Sequence, residues 1–229
     1  MDCENATMTI AAVILAATPE SALADVEGVP RIRRLADVAW SGGAVPIVVV
    51  APDPTGSVQV ALAGAPVTYL SPAPGETGPV GQILRGIDAA LAEVTETDGA
   101  IVWPARIQWV DAETITSMIE AHGQHPGFVL RPTYEGDPGW PVLVPRADVD
   151  RLRELAPDRM PDQLIEDLFA AGAVEWRIDL GDPGTTRDGT VAREDLPPFL
   201  GPIGPESGPH EWGAAEAADV AEDVPPDRR

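Results

Sequence analysis

The chain contains no lysine: all fifteen basic residues are arginine, set against thirty-seven Asp and Glu. Any mechanism that depends on a lysine is therefore excluded. The formal net charge of −22 also argues against nucleic acid and anionic membrane as partners, because a surface of that sign repels both. Arg31, Arg33 and Arg34 form the only tight basic cluster. With one cysteine, Cys3, no internal disulfide can form, and no CxxC or HExxH spacing points to zinc. His122 and His125 are separated by two residues without a Cys or third His beside them. Zinc needs three or four ligands, so a surface or helix-end role is the expectation for that pair. No apolar run reaches the roughly eighteen residues that a membrane-spanning helix requires. These absences lead to the expectation of a soluble cytoplasmic protein, and 229 residues at 44% hydrophobic content suffice for one substantial core.

What is present begins with TIAAVILAATPESALADVEGVP, Thr9 to Pro30. The apolar run followed by Ser21-Ala22-Leu23-Ala24 imitates a secretory signal, but the preceding MDCENATM carries Asp2 and Glu4 and no positive charge. The run reads instead as the first strand, Thr9 to Ala16. A helix follows from Pro30 to Ser41, with Ile32, Leu35, Ala36 and Ala39 on one face and Gly42-Gly43 ending it. A strand is expected over Pro46 to Ala51, a weak helix or turn around Thr55 to Ala63, and a short strand over Val67 to Leu70. In Gly78 to Val94 the residues Val80, Ile83, Leu84, Ile87, Ala90 and Leu91 recur at helical steps. Gly99 to Trp103 reads as a strand, and Asp111 caps a helix that runs to His122.

The second half predicts strands over Gly127 to Tyr134 and Trp140 to Val144, split by the turn-forming Glu135-Gly136-Asp137-Pro138-Gly139. Helices over Arg146 to Leu155 and Pro161 to Ala171, a strand over Val174 to Leu180, and a short helix near Arg193 to Leu196 complete it. The fold class is α/β: three layers around a mostly parallel sheet, Rossmann-like, with a late antiparallel insertion. Three regions follow: a flexible N-terminus (1–8), one domain (9–196), and an acidic, Pro- and Gly-rich tail (197–229) expected to be disordered. Trp212 in that tail is a weak candidate for a partner-binding motif.

Five strings in this order resemble the MobA-like nucleotidyltransferases, which include molybdenum cofactor cytidylyltransferases and guanylyltransferases. They are Ala12 to Ala17; Gly28-Val29-Pro30; Gly78 to Gly86; Val102-Trp103-Pro104-Ala105 with Asp111 to Ile115; and Gly139 to Arg146. The resemblance spans about Thr9 to Leu196 and implies a nucleotidyltransferase (GT-A-like) fold. It also implies a phosphate-binding loop after the first strand and Mg²⁺ held by carboxylates.

The residues at those places depart from the family pattern. The loop LAAG-x-S-x-R-x-G-x-x-K is represented by Leu15-Ala16-Ala17-Thr18-Pro19-Glu20 and the residues up to Asp25. Thr18 replaces the first glycine, Pro19 lacks a backbone donor, and Glu20 and Asp25 put negative charge where a polyphosphate would lie. At P-x-D-x-P, Arg106 stands at the metal-binding Asp and Gln108 at the second Pro; arginine cannot ligate a cation. The late D-x-D-T-P-x-D-L string has lost both leading acids, with Asp188 one residue upstream as a possible replacement.

A protein that has lost nucleotidyl transfer and acts as a binding or assembly partner is the first expectation: no cofactor, opposed nucleotide binding and a possible protein partner. An active, Mg²⁺-dependent enzyme would build its site from residues such as Arg85, Arg106, Asp111 and Asp188. A third reading is a metal-independent small-molecule sensor in the old cleft, bounded by the loop remnant Ala16 to Glu20 and by Gly78, Gln82, Trp103 and Trp109. For Arg106 the simpler expectation is an ion pair with Glu20 or Asp25. For Trp103, Trp109 and Trp140, core and rim packing is simpler than base stacking.

Overall fold

A computed structural model describes residues 8–74 and 78–201. Four parallel strands form its centre. They are β1 (Thr9–Leu15), β4 (Ile47–Val50), β5 (Thr68–Leu70) and β6 (Thr97–Pro104), with β1 paired in parallel to both β4 and β6. The sheet continues through β9 (Val142–Pro145), β7 (Val129–Tyr134) and β10 (Glu175–Asp179), giving the order β10-β7-β9-β6-β1-β4-β5. Only β9 and the two-residue β8 (Asp137–Pro138) run against their neighbours, as the late insertion in the sequence implied. A separate two-residue hairpin joins β2 (Asp25–Val26) to β3 (Val29–Pro30). Its turn puts Glu27 and Gly28 at positive φ.

Near-continuous Val, Ile and Ala in β1 and β4 fit strands covered on both faces. On one face lies α4 (Gly78–Glu93), against β1 and β4, with α6 (Val149–Arg153) and α7 (Pro161–Ala170) beside it. On the other lie α2 (Arg31–Ser41), against β1 and β4, and α5 (Ala112–Gln124), against α2 and β7. Close helix–sheet approach depends on Gly86, where a Cβ would lie 2.3 Å from Val13 Cγ1. Ile32, Leu35, Ala36 and Ala39 of α2 are buried, as their spacing predicts. Among the described residues no helix is long and apolar enough to cross a membrane.

Two expectations need correction. The stretch read as an open loop after β1 contains a five-residue helix, α1 (Pro19–Leu23), and a short helix, α3 (Ser57–Ala61), stands where the sequence allowed either helix or turn. In α1, Pro19 opens the first turn and Thr18 Oγ1 accepts from the Ser21 amide at 3.1 Å. The His122 and His125 pair takes the helix-end role expected of it: His122 is buried in the last turn of α5, and His125 caps that helix and packs edge-on against Phe128 and Trp176. Finally, Pro197 to Gly201 still pack on the domain, with the Leu200 amide donating to Gly181 O at 3.1 Å. Residues 202–229, including Trp212, and residues 1–7 lie outside the described residues.

Burial holds the His122 imidazole below its ordinary value, with Asp98 acting weakly in the opposite direction. The unfolded chain therefore binds a proton first as pH falls. Stability contributed by neutral His122 is complete above pH 6.5 and is lost as pH drops below it toward the lowered folded value. Urea midpoints at pH 7.5 and 5.5 should differ in this direction, and less so in His122→Leu. Equal pH sensitivity in the two proteins would remove His122 as the cause.

Candidate functional site

The carboxyl ends of β1, β4 and β6 open on one side of the sheet, where ligands bind in open α/β folds. A cavity of about 410 Å³ lies there, with Ala16, Ala17, Gly78, Gln82, Arg106 and Met160 among its walls. Only Ala16, Ala17 and Thr18 separate β1 from α1. Ala16 is buried and donates its amide to Val50 O at 3.0 Å. The Thr18 hydroxyl serves α1, and hydrogen bonds with its own backbone amide and with Thr18 hold the Glu20 carboxyl below the usual range. The Ala16 amide, the Ser21 amide and the Thr18 hydroxyl thus serve the protein itself. Gln82 is occupied in the same way: its amide spans Ala73, accepting from N at 2.7 Å and donating to O at 3.2 Å. Gly78 sits at φ +56° with Pro157 O 1.9 Å from where a Cβ would lie, so no other residue fits.

Arg106 follows the end of β6 and forms a wall shared with a second cavity of about 400 Å³. That cavity is lined also by Trp140, Asp162, Thr185, Arg187 and Asp188. The expected partners of Arg106 were Glu20 or Asp25; the observed one is Asp162, at 3.1 Å. Glu20 is held within its own helix turn, and Asp25 accepts from the Gly28 amide at 3.2 Å in the β2–β3 turn. Asp162 is fixed from a second side by Trp140 Nε1 at 2.7 Å. Across the cavity, Asp188 Oδ1 accepts from the Thr190 hydroxyl (2.6 Å) and amide (3.0 Å). Those two bonds, aided by Arg106 and Arg31, hold its carboxyl below the ordinary range.

Of the four residues named for an active enzyme, the structure brings Arg106 and Asp188 to one cavity and leaves the other two elsewhere. Asp111 is the cap of α5, accepting from the Glu113 amide at 3.0 Å. Arg85 donates to Ser71 O at 2.7 Å beside a separate depression. Two cleft assignments also need correction. Trp103 is fully buried, its indole N–H donating to Ile107 O at 2.8 Å, because β6 is central and covered on both faces. Trp109 lines a smaller cavity with Asp111, donates to Val191 O at 2.8 Å, and is flanked by the guanidinium groups of Arg34 and Arg193 at 5.4 and 5.7 Å.

Asp182 and Asp162 were missed. Asp182 is 2% exposed. Its Oδ2 accepts from the Asp111 amide (3.0 Å) and the Thr114 hydroxyl (2.6 Å), and its Oδ1 from the Gly184 amide (2.8 Å). Burial pushes this carboxyl above the ordinary range, against the pull of its three donors. The Asp182-Pro183-Gly184 turn signature was the available clue. For Asp162 the clue was an acid directly after Pro161, in the first turn of α7.

These residues do not fit a divalent cation. Where the resemblance places a metal carboxylate there is a guanidinium already paired to the nearest acid. Among the described residues no three His, Cys, Asp or Glu side chains gather closely enough to hold an ion.

The MobA-like NTP transferase domain model matches residues 19–173, and the chain belongs to that family. It is similar in fold to Rv0371c of Mycobacterium tuberculosis H37Rv, solved in complex with manganese: 21% identity over 75% of this chain and 89% of that one, TM-score 0.55. A cytidylyltransferase from Leptospira borgpetersenii shares 12% identity over 74% and 76% of the two chains, TM-score 0.56. The 4-diphosphocytidyl-2C-methyl-D-erythritol synthase of Anaerococcus prevotii shares 12% over 82% and 94%, TM-score 0.59. At these identities the likeness is one of fold. No curated protein sequence matches the chain.

Proposed function

We propose that this member of the MobA-like family no longer transfers nucleotides and acts as a non-catalytic binding protein. The observation that carries this reading is the Arg106–Asp162 ion pair at the place where the family pattern has its metal-binding carboxylate. A cation brought there would meet positive charge, and the triphosphate it escorts would meet Glu20 without a compensating lysine. The internal bonds of the Ala16 amide, the Thr18 hydroxyl and the Gln82 side chain support the same reading.

The test is a thermal-shift titration with CTP, GTP and ATP, with and without Mg²⁺. No change in Tm at millimolar nucleotide is the expected result. A Mg²⁺-dependent rise of several degrees for any one nucleotide would overturn the proposal, since ligand binding raises stability by RT ln(1+[L]/Kd).

A further inference from the structure

In a chain with thirty-seven acids, arginines should find partners. Twelve of the thirteen described arginines do so through an ion pair or hydrogen bond. The exception among the described residues is Arg187. It lines the second cavity, where Arg106 is already paired to Asp162. Its guanidinium is thus the cationic group in that cavity left for a ligand.

The surroundings narrow the ligand's chemistry. Asp188 spends Oδ1 on Thr190, and its other oxygen carries no hydrogen bond among the described residues. Its lowered proton affinity keeps it ionised. One free guanidinium and one free carboxylate oxygen therefore share a cavity of about 400 Å³, within the range of small-metabolite sites. A phosphate dianion would be opposed by the Asp162 and Asp188 carboxylates that share this cavity. A carboxylate monoanion suits the planar fork of Arg187, and a hydroxyl or ammonium donor on its α carbon would satisfy Asp188.

The platform beneath is rigid. Thr185 O accepts the Trp140 amide at 2.8 Å, Arg106 O accepts the Gly189 amide at 2.7 Å, and a Cβ on Gly139 would come within 2.5 Å of Thr185 O. Arg187 and Asp188 thus stand between two fixed points, the condition for a preorganised site.

We infer that the cavity lined by Arg187 and Asp188 binds a small α-hydroxy- or α-amino-carboxylate without metal. This rests on the non-catalytic reading and specifies what such a protein binds. The test uses the full chain in EDTA, titrated by calorimetry with glycerate, L-serine, acetate and inorganic phosphate. Saturable binding of glycerate or L-serine, tighter than acetate and phosphate, is expected; which of the two binds more tightly tells the hydroxy acid from the amino acid. Arg187→Ala should weaken that binding roughly tenfold or more, as loss of a charge-assisted pair does. Its Tm should stay unchanged, since the Arg187 side chain makes no described contact of that kind. Arg85→Ala, remote from the cavity, should bind as the wild type does.

Absence of binding by both compounds, stronger binding of phosphate, or retention of full affinity in Arg187→Ala would each overturn the inference. Because no nucleotide or Mg²⁺ is present, such a failure leaves the nucleotide titration to decide the fate of the non-catalytic reading separately.

Discussion

Replacing Asp182 by alanine is expected to lower the Tm by about 10 °C. The change strands three donors at once: the Asp111 amide that starts α5, the Thr114 hydroxyl, and the Gly184 amide. Each buried group left unpaired costs about 1–3 kcal/mol. Offset by relief of the buried charge, a net loss of about 3–5 kcal/mol follows, and at roughly 2–4 °C per kcal/mol for a domain of this size the shift is about 10 °C. Asp182→Asn separates shape from acceptor count: it preserves the volume but turns an NH₂ toward groups that already donate, so it should fall between wild type and Ala. A drop below about 2 °C for the alanine variant would mean that water replaces the carboxylate, at odds with its burial.

Trp103→Ala should cost about 3–5 kcal/mol, the range for removing a large buried aromatic side chain. Trp103→Phe should cost less, because most of the ring volume stays and the principal loss is the bond to Ile107 O. Neither change should alter affinity for glycerate or L-serine in folded protein. That split distinguishes a core residue from a cleft residue: a Trp103→Phe protein of near-normal Tm with weakened ligand binding would return this side chain to the site. Chemical denaturation gives the first quantity and calorimetry the second.

Strand and helix order was readable because the covered strands are continuous apolar runs and the helices keep their apolar spacing, as in Ile32, Leu35, Ala36 and Ala39. Asp111 was readable as a cap because Glu113 follows it in the first turn. Partner choice was not readable. Arg106 and Asp162 are far apart along the chain, and nothing local in either marks the other; the pairing arises when α7 packs beside α4 and α6 and brings its first turn to the residue that follows β6. The assignment of Trp103 to the cleft fails for a related reason, while core packing, the simpler expectation for it, holds. Proximity in sequence to a motif says which end of a strand a residue occupies, not which side of the sheet covers it. Thr18 and Pro19 looked like damage to a phosphate loop, when together they form an ordinary helix start.

The sheet order has a consequence for synthesis of the chain. β1 pairs on one edge with β4 and on the other with β6, so its second edge stays open until Thr97 to Pro104 have been made. During that interval an apolar strand, TIAAVIL, offers unpaired amides and carbonyls to any other nascent copy, the condition under which strands associate edge to edge. A fragment ending before residue 97 should therefore aggregate, whereas one that ends after β10 has every edge of β1 closed.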